Sequence, residues 1–273
     1  MTQVDKYFAA GAQEDTEREH LRLLAAAYND ASQKRLKPLG IGCGWRCLEV
    51  GAGGWFMTKW LAETVAPDGS VVALDLNVRF VRELGLAGVE AREADIVEDE
   101  IEKGAFDLVY SRFVVSHLTD PLCALRKMAA ALKPGGWLMV EDGDYASYRA
   151  ADRTHPLSAV FDRTVQKGLA YFQAKGAIQP TFGRRIPECV AALDLESIGS
   201  EVVELRHSGG SRQSRALKQA FALSSDELVV AGTISQRDKE ERLRALDDPT
   251  FEHIEVIHVA WGQKPASGWL GVG

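Results

Sequence analysis

Nine residues, Cys47-Leu-Glu-Val-Gly-Ala-Gly-Gly-Trp55, constrain the fold more than any other stretch of the chain. Cys47 to Val50 is a short, mostly apolar run of the kind that forms a buried strand, and Gly51 to Gly54 adds no side-chain bulk beyond one methyl group. The stretch reads as strand, tight turn, then helix. A helix opening at this point aims unpaired N–H groups and the positive end of its dipole at an anionic group, a carboxylate or a phosphate. Glycine-rich turns are common, so the flanking pattern has to say what this one serves.

That pattern is regular. After the strand at 46–51 come a helix at 54–65, a strand at 70–75 behind the turn Pro67-Asp68-Gly69, a helix at 78–85 and a short strand at 88–92. A strand at 105–110 follows, then a helix at 120–132 led by Asp120-Pro121, the turn Lys133-Pro134-Gly135-Gly136 and a strand at 137–141. Repeated strand–helix units predict an α/β fold with a Rossmann-like, doubly wound, mostly parallel sheet. Ligands of such sheets sit at the carboxyl ends of the strands.

The rest of the chain divides around this core. Residues 14–36 place Leu21, Leu24, Ala25 and Tyr28 at helical spacing before Pro38, so residues 1–40 form an N-terminal helical segment, with packing its expected role and a lid the alternative. The core covers 41–145, and 146–195, rich in aromatic residues, reads as a substrate-cap insertion over the strand ends. Residues 196–273 complete the sheet, with two helices inserted at 211–247 and a strand at 251–261 that pairs with one at 201–207.

At 273 residues and 46% hydrophobic, the chain can bury a sizeable core. Its net charge of −7 gives no general attraction to nucleic acid or anionic lipid, so a small-molecule partner is expected and nucleic-acid and membrane partners are not. No apolar run approaches the roughly 20 residues of a membrane span. The N-terminus lacks the basic-then-apolar layout of a signal peptide, which points to the cytoplasm. Cysteines 43, 47, 123 and 189 show neither metal-ligand spacing nor a disulfide framework, so no metal site is expected.

Three consecutive strand ends carry chemistry. The turn at Gly51, Ala52 and Gly53 suits an anionic end of a ligand, and Asp75, closing the second strand, can accept from both hydroxyls of a ribose. Asp95, after the third strand, can accept from an exocyclic amine while Leu76 and Ile96 sandwich a flat base. Each acid alone is more often a turn residue or a helix cap; the ordered set is far less often accidental.

These residues resemble the class I S-adenosylmethionine-dependent methyltransferases over roughly residues 40–145. Glu49-Val50-Gly51-Ala52-Gly53 looks like the family's first motif, Asp75 its ribose acid and Asp95-Ile96 its adenine contact. Phe106 to Arg112 is similar to its fourth-strand motif and Leu132 to Gly136 to its post-helix turn. The resemblance implies S-adenosyl-L-methionine as cofactor, held at its methionine end by Glu49, Gly51, Gly53, Ser111 and Arg112. It also implies a seven-stranded sheet with a reversed last strand and a variable cap for a small metabolite, with bacterial small-molecule and natural-product methyltransferases the nearest in character.

Methyl transfer is an in-line displacement in which positioning carries most of the rate, and a base is needed only when the acceptor must lose a proton. His117, in Ser116-His117-Leu118, is the first candidate for that base, against a packing or capping role. Tyr28, Tyr145, Tyr148, His155 and Tyr171 are the candidates for a hydrophobic or aromatic substrate pocket. A nicotinamide-dependent oxidoreductase is disfavoured because Phe56 occupies the place where a pyrophosphate turn needs a third small residue. A non-methylating member of the fold, a cyclase or isomerase, is the other alternative, motivated by bulky Trp55 where the family's motif usually has glycine. The apolar N-terminal helix leaves a homo-oligomer open.

Overall fold

A computed structural model describes residues 14–266. The chain divides into two compact units. Of the described residues, one holds 31–142, 184–201 and 258–266; the other holds 14–30, 143–183 and 202–257.

The first unit is built on parallel strands. The last turns of α1 (Glu14–Leu36) lead into it, and β1 (Arg46–Val50), α2 (Phe56–Val65), β2 (Ser70–Asp75), α3 (Arg79–Leu84), β3 (Val89–Glu93), β4 (Phe106–Arg112), α4 (Pro121–Ala131) and β5 (Leu132–Gly143) follow in order. β1 lies between β2 and β4 and runs parallel to both, with Val50 opposite Leu74 on one side and Ser111 on the other. The chain steps outward through β2 and β3 and returns to the far side of β1 as β4, the reversal of strand order that opens a crevice at the carboxyl ends. The strands read as continuous apolar runs because they are covered: Leu48, Val50, Val72, Leu74, Leu108, Val109, Leu138 and Val140 are all buried. On α2 the buried residues Met57, Thr58, Leu61, Ala62 and Val65 form one helical stripe. α4 starts where Asp120 accepts a hydrogen bond from the Cys123 N–H at 2.9 Å, with Pro121 in the first turn.

One expectation fails here. Lys133 to Gly136 is not a turn ahead of a strand; β5 already begins at Leu132 and carries an irregularity opposite Phe106 to Leu108. The Gly135 N–H donates to the Lys264 carbonyl and the Lys264 N–H to the Gly136 carbonyl, both at 2.8 Å, which draws the glycine pair into the sheet. A Cβ on Gly136 would stand 2.8 Å from the Phe106 carbonyl oxygen, so the close approach of the strands needs glycine there.

The second unit contains β6 (Arg149–Ala150), α5 (Ser158–Ala174), α7 (Arg212–Val230) and α8 (Gln236–Asp247); α6 (Ile186–Ala191) belongs to the first. One core cluster gathers Ala150, Phe161, Val165, Ala245, Leu246 and Phe251, and a second gathers Phe221 and Leu228 of α7 with Ile234 just after it. Ser235 and Asp238 form a reciprocal capping box at the start of α8.

β7 (Glu196–Ser208) and β8 (Glu252–Gln263) complete a sheet of order β3-β2-β1-β4-β5-β8-β6, with β7 also paired to β8. β8 runs against β5, since Gly135 bonds Lys264 near one end and the Asp144 N–H donates to the Val256 carbonyl near the other. The seven expected strands with a reversed last one are therefore present, and the two-residue β6, antiparallel to β8, is an eighth. Among the described residues no helix is long and apolar enough to cross a membrane.

Candidate functional site

The carboxyl end of β1 carries a buried acid. Glu49 is 4% exposed and its Oε2 accepts from the Thr58 hydroxyl at 2.6 Å, tying the strand to the first turn of α2. Burial raises its pKa to about 7 and the Asp75 charge adds to the rise, while the Thr58 bond and the Arg112 charge oppose it. Beyond it the turn is anchored from β2: Gly51 and Ala52 N–H both donate to the Leu74 carbonyl, at 2.8 and 3.2 Å. α2 opens without a side-chain cap, so its first N–H groups are available to a ligand.

Asp75 closes β2 and organises the loop as well as facing it. Its Oδ2 accepts from Gly53 N–H at 2.8 Å and its Oδ1 from Asn77 N–H at 3.0 Å. Desolvation pushes its pKa up, and those backbone donors with that of Leu76 pull it back. Asp95 accepts from Val97 N–H at 2.8 Å, and its own N–H donates to Asp99. Ile96 is buried and Leu76 half-buried. Glu49, Gly51, Ala52, Gly53, Asp75, Leu76, Asp95, Ile96, Ser111 and Arg112 thus all belong to the first unit, on consecutive strand ends.

β4 ends in a strained connection. Phe113 has φ 57°, a left-handed conformation that is unusual for a bulky side chain, and its N–H donates to the Glu141 carbonyl at 2.9 Å. Just before it, the Ser111 hydroxyl is buried with no hydrogen-bond partner in the protein. Just after it, Ser116 is fixed to buried Asp142 on β5, through its N–H at 3.0 Å and its hydroxyl at 2.9 Å. His117 ends the 3-10 turn Val115–His117 and is half-buried.

Trp55 stacks on Phe56 with ring centroids 4.1 Å apart, and the Lys59 ammonium lies 5.9 Å from its ring. It is half-buried and stands off the buried stripe of α2, so it does not fill the interface between helix and sheet.

The expected substrate residues all fall in the second unit. Tyr145 and Tyr148 come together, ring centroids 5.4 Å apart, against Gly143. Tyr28 is buried and donates to Glu255 at 2.7 Å. His155 accepts from Leu157 N–H through Nδ1, faces Thr250 through Nε2 and packs edge-on to Phe251. Tyr171 donates to Glu227 at 2.9 Å on α7.

Sequence reasoning missed Thr58, Ser116 and Asp142. The pair Glu141-Asp142 closing an apolar strand was a visible signal for the last of these; nothing local marked the other two.

A family model described as a methyltransferase domain matches residues 48–140. Methyltransferase str2 of Strobilurus tenacellus is 27% identical over 175 residues, which cover 62% of this chain and 60% of the relative's length. Among solved structures, YcgJ of Bacillus subtilis matches with a TM-score of 0.56 at 17% identity, covering 88% of this chain and 100% of that one. Phosphoethanolamine N-methyltransferase 2 of Haemonchus contortus, in complex with phosphomonomethylethanolamine and S-adenosylhomocysteine, matches at 0.54 and 19%, covering 86% of this chain and 52% of that one. Likenesses at these identities speak to the fold, and the family match spans β1 to β5, where the acids of the site lie. Over residues 48–140 the chain is thus similar to the methyltransferase domain family, and its sheet has the strand order described above.

Proposed function

We propose that the chain binds S-adenosyl-L-methionine at the carboxyl ends of β1, β2 and β4 and transfers its methyl group to a small hydrophobic or aromatic metabolite. The residues fit such a ligand: a buried Ser111 hydroxyl lacks a partner, a bulk-free turn opens a helix, and acids close β1 and β2. The bound cofactor supplies a methyl group on a sulfonium, whose departure leaves a neutral thioether. Asp75 would accept from the ribose hydroxyls, and Leu76, Asp95 and Ile96 would hold the base. Glu49, Gly51, Ala52, Gly53, Ser111 and Arg112 would hold the amino-acid end. His117 is the candidate to take a proton from an acceptor hydroxyl or amine, and Tyr145 with Tyr148 the candidate contact for a flat substrate.

The observation that carries the proposal is the trio of Glu49, Asp75 and Ser111, two buried or half-buried acids and an unpartnered hydroxyl on neighbouring strand ends. Calorimetric titration with S-adenosylmethionine and S-adenosylhomocysteine tests it. Binding of both is expected, and failure of both at high micromolar concentration removes the proposal. For the substrate class, a panel of aromatic metabolites is expected to include an acceptor; transfer confined to protein or nucleic acid would sink that part.

Binding should also depend on pH through Glu49. A buried carboxyl whose pKa rises from 4.5 to about 7 on folding makes the ligand-free protein lose stability as pH climbs through that window, and none further above it. A cationic ligand end favours the ionised form, so binding below pH 7 should release a proton. Affinity is then expected to climb by up to about tenfold per pH unit below 7 and to level off above it. Calorimetry at pH 6 in two buffers of different ionisation heat reads the released proton, and Glu49→Gln should abolish the release.

A further inference from the structure

We propose that Ser32 is a positioning residue for this site: from the last turns of α1 it seats the Arg112 guanidinium at the end of β4 and, through it, tunes the field at Glu49. Ser32 is fully buried, and a serine inside a helix usually bonds back to its own preceding turn. Here its Oγ instead accepts from Arg112 Nη1 at 2.9 Å, across 80 residues of sequence. Since Arg112 can only donate, the Ser32 proton is free to go onward, and the Tyr110 phenol is a group that this hydroxyl acts on. Tyr110, buried, in turn donates to Glu141 Oε1 at 3.1 Å. The other Glu141 oxygen accepts from Arg35 at 3.1 Å, and Arg35 also binds Glu201 at 2.8 Å. Donation therefore runs from Arg112 to Ser32 and from Tyr110 to Glu141, and the helix supplies both Ser32 and the closing Arg35.

The consequence reaches Glu49 because the Arg112 charge favours its ionised form. Among the described residues the other groups acting there are Thr58 on α2, Asp75 on β2, Tyr110 on β4 and Cys47 on its own strand. None of these is a cation, so displacing the guanidinium removes the one positive contribution among them.

The test is a carbon-13 NMR titration of the Glu49 carboxyl in the ligand-free full chain, as wild type, Ser32→Ala and Ser32→Thr. Ser32→Ala is expected to raise the midpoint by about half a pH unit and Ser32→Thr, which keeps the hydroxyl, to restore it. S-adenosylmethionine binding by Ser32→Ala should then weaken about threefold more below the midpoint than well above it, where any loss left is that of the Arg112 contact itself. An unmoved midpoint in Ser32→Ala, even with a lower melting temperature, would overturn the proposal by showing the hydroxyl to be structural only. Should Ser32→Ala not fold, Ser32→Cys gives the same comparison with a poor acceptor, and an unmoved midpoint there is equally fatal. The binding arm rests on the function proposed above; the titration does not, so a wild type that fails to bind the cofactor removes that function while the midpoints still decide the role of Ser32.

Discussion

Gly51→Ala is expected to destabilise the chain by roughly 2–5 kcal/mol, from a left-handed backbone and an overpacked contact together. Gly51 has φ +77°, and a Cβ there would stand 2.0 Å from Val114 Cγ2. Strain and collision cannot relax together, because Gly51 and Ala52 are both pinned to the Leu74 carbonyl. At roughly 2–4 °C per kcal/mol for a domain of 150–250 residues, the melting temperature should fall by about 4–20 °C. Two variants separate the causes. Gly104→Ala, at φ +62° with nothing within 4 Å of the added Cβ, meets the conformational penalty alone. Gly51→Ala combined with Val114→Ala relieves the collision and should recover part of the loss, a coupling expected of residues in direct contact. If Gly51→Ala melted no lower than Gly104→Ala, the contact with Val114 would be too soft to matter. Val114 also sits in the segment that leads from strained Phe113 to His117, so pushing it away shifts the segment that carries the candidate base.

How much of this was legible in the residues depends on how local each cause is. The spans of β1, α2 and β2 follow from apolar runs bounded by glycine and by Pro67-Asp68-Gly69, and strand 70–75 matches to the residue. α1 follows as directly, because its stripe and its end at Pro38 lie within one window. The entry to β5 was read as a turn because Gly135-Gly136 is a strong local signal, whereas the partner that makes it a strand, Lys264, lies far along the chain. The same holds for the site. Asp75 and Asp95 stand out as candidates from spacing alone, one closing a strand and the other following one. The bond from Ser32 to Arg112 and that from Ser116 to Asp142 join distant segments, and no pattern in either segment announces the other. Trp55 is an intermediate case: its bulk was evident, but its stacking on Phe56 beside Lys59 depends on how α2 turns its stripe toward the sheet.

Asp75→Asn should weaken binding of S-adenosylmethionine at least about a hundredfold, near 3 kcal/mol, since it degrades charge-assisted hydrogen bonds on both sides of the carboxylate. The carboxylate faces two backbone donors, Gly53 on one oxygen and Asn77 on the other. An amide offers a single oxygen, so one of those N–H groups must meet an NH2. If the lost partner is Gly53, the turn after β1 slackens before any ligand arrives; if it is Asn77, the start of the next loop does. In either case the remaining oxygen must serve a backbone donor and a ribose hydroxyl together, where the carboxylate has spare lone pairs for both. Hydrogen exchange at the Gly53 amide in the ligand-free protein distinguishes the two, rising only in the first case. Calorimetry then measures the cofactor term, and a variant that bound within threefold of wild type would show that Asp75 is a loop anchor alone. The acid is therefore expected to have a double role: it holds the glycine turn in the shape a ligand needs and presents the same oxygens to that ligand.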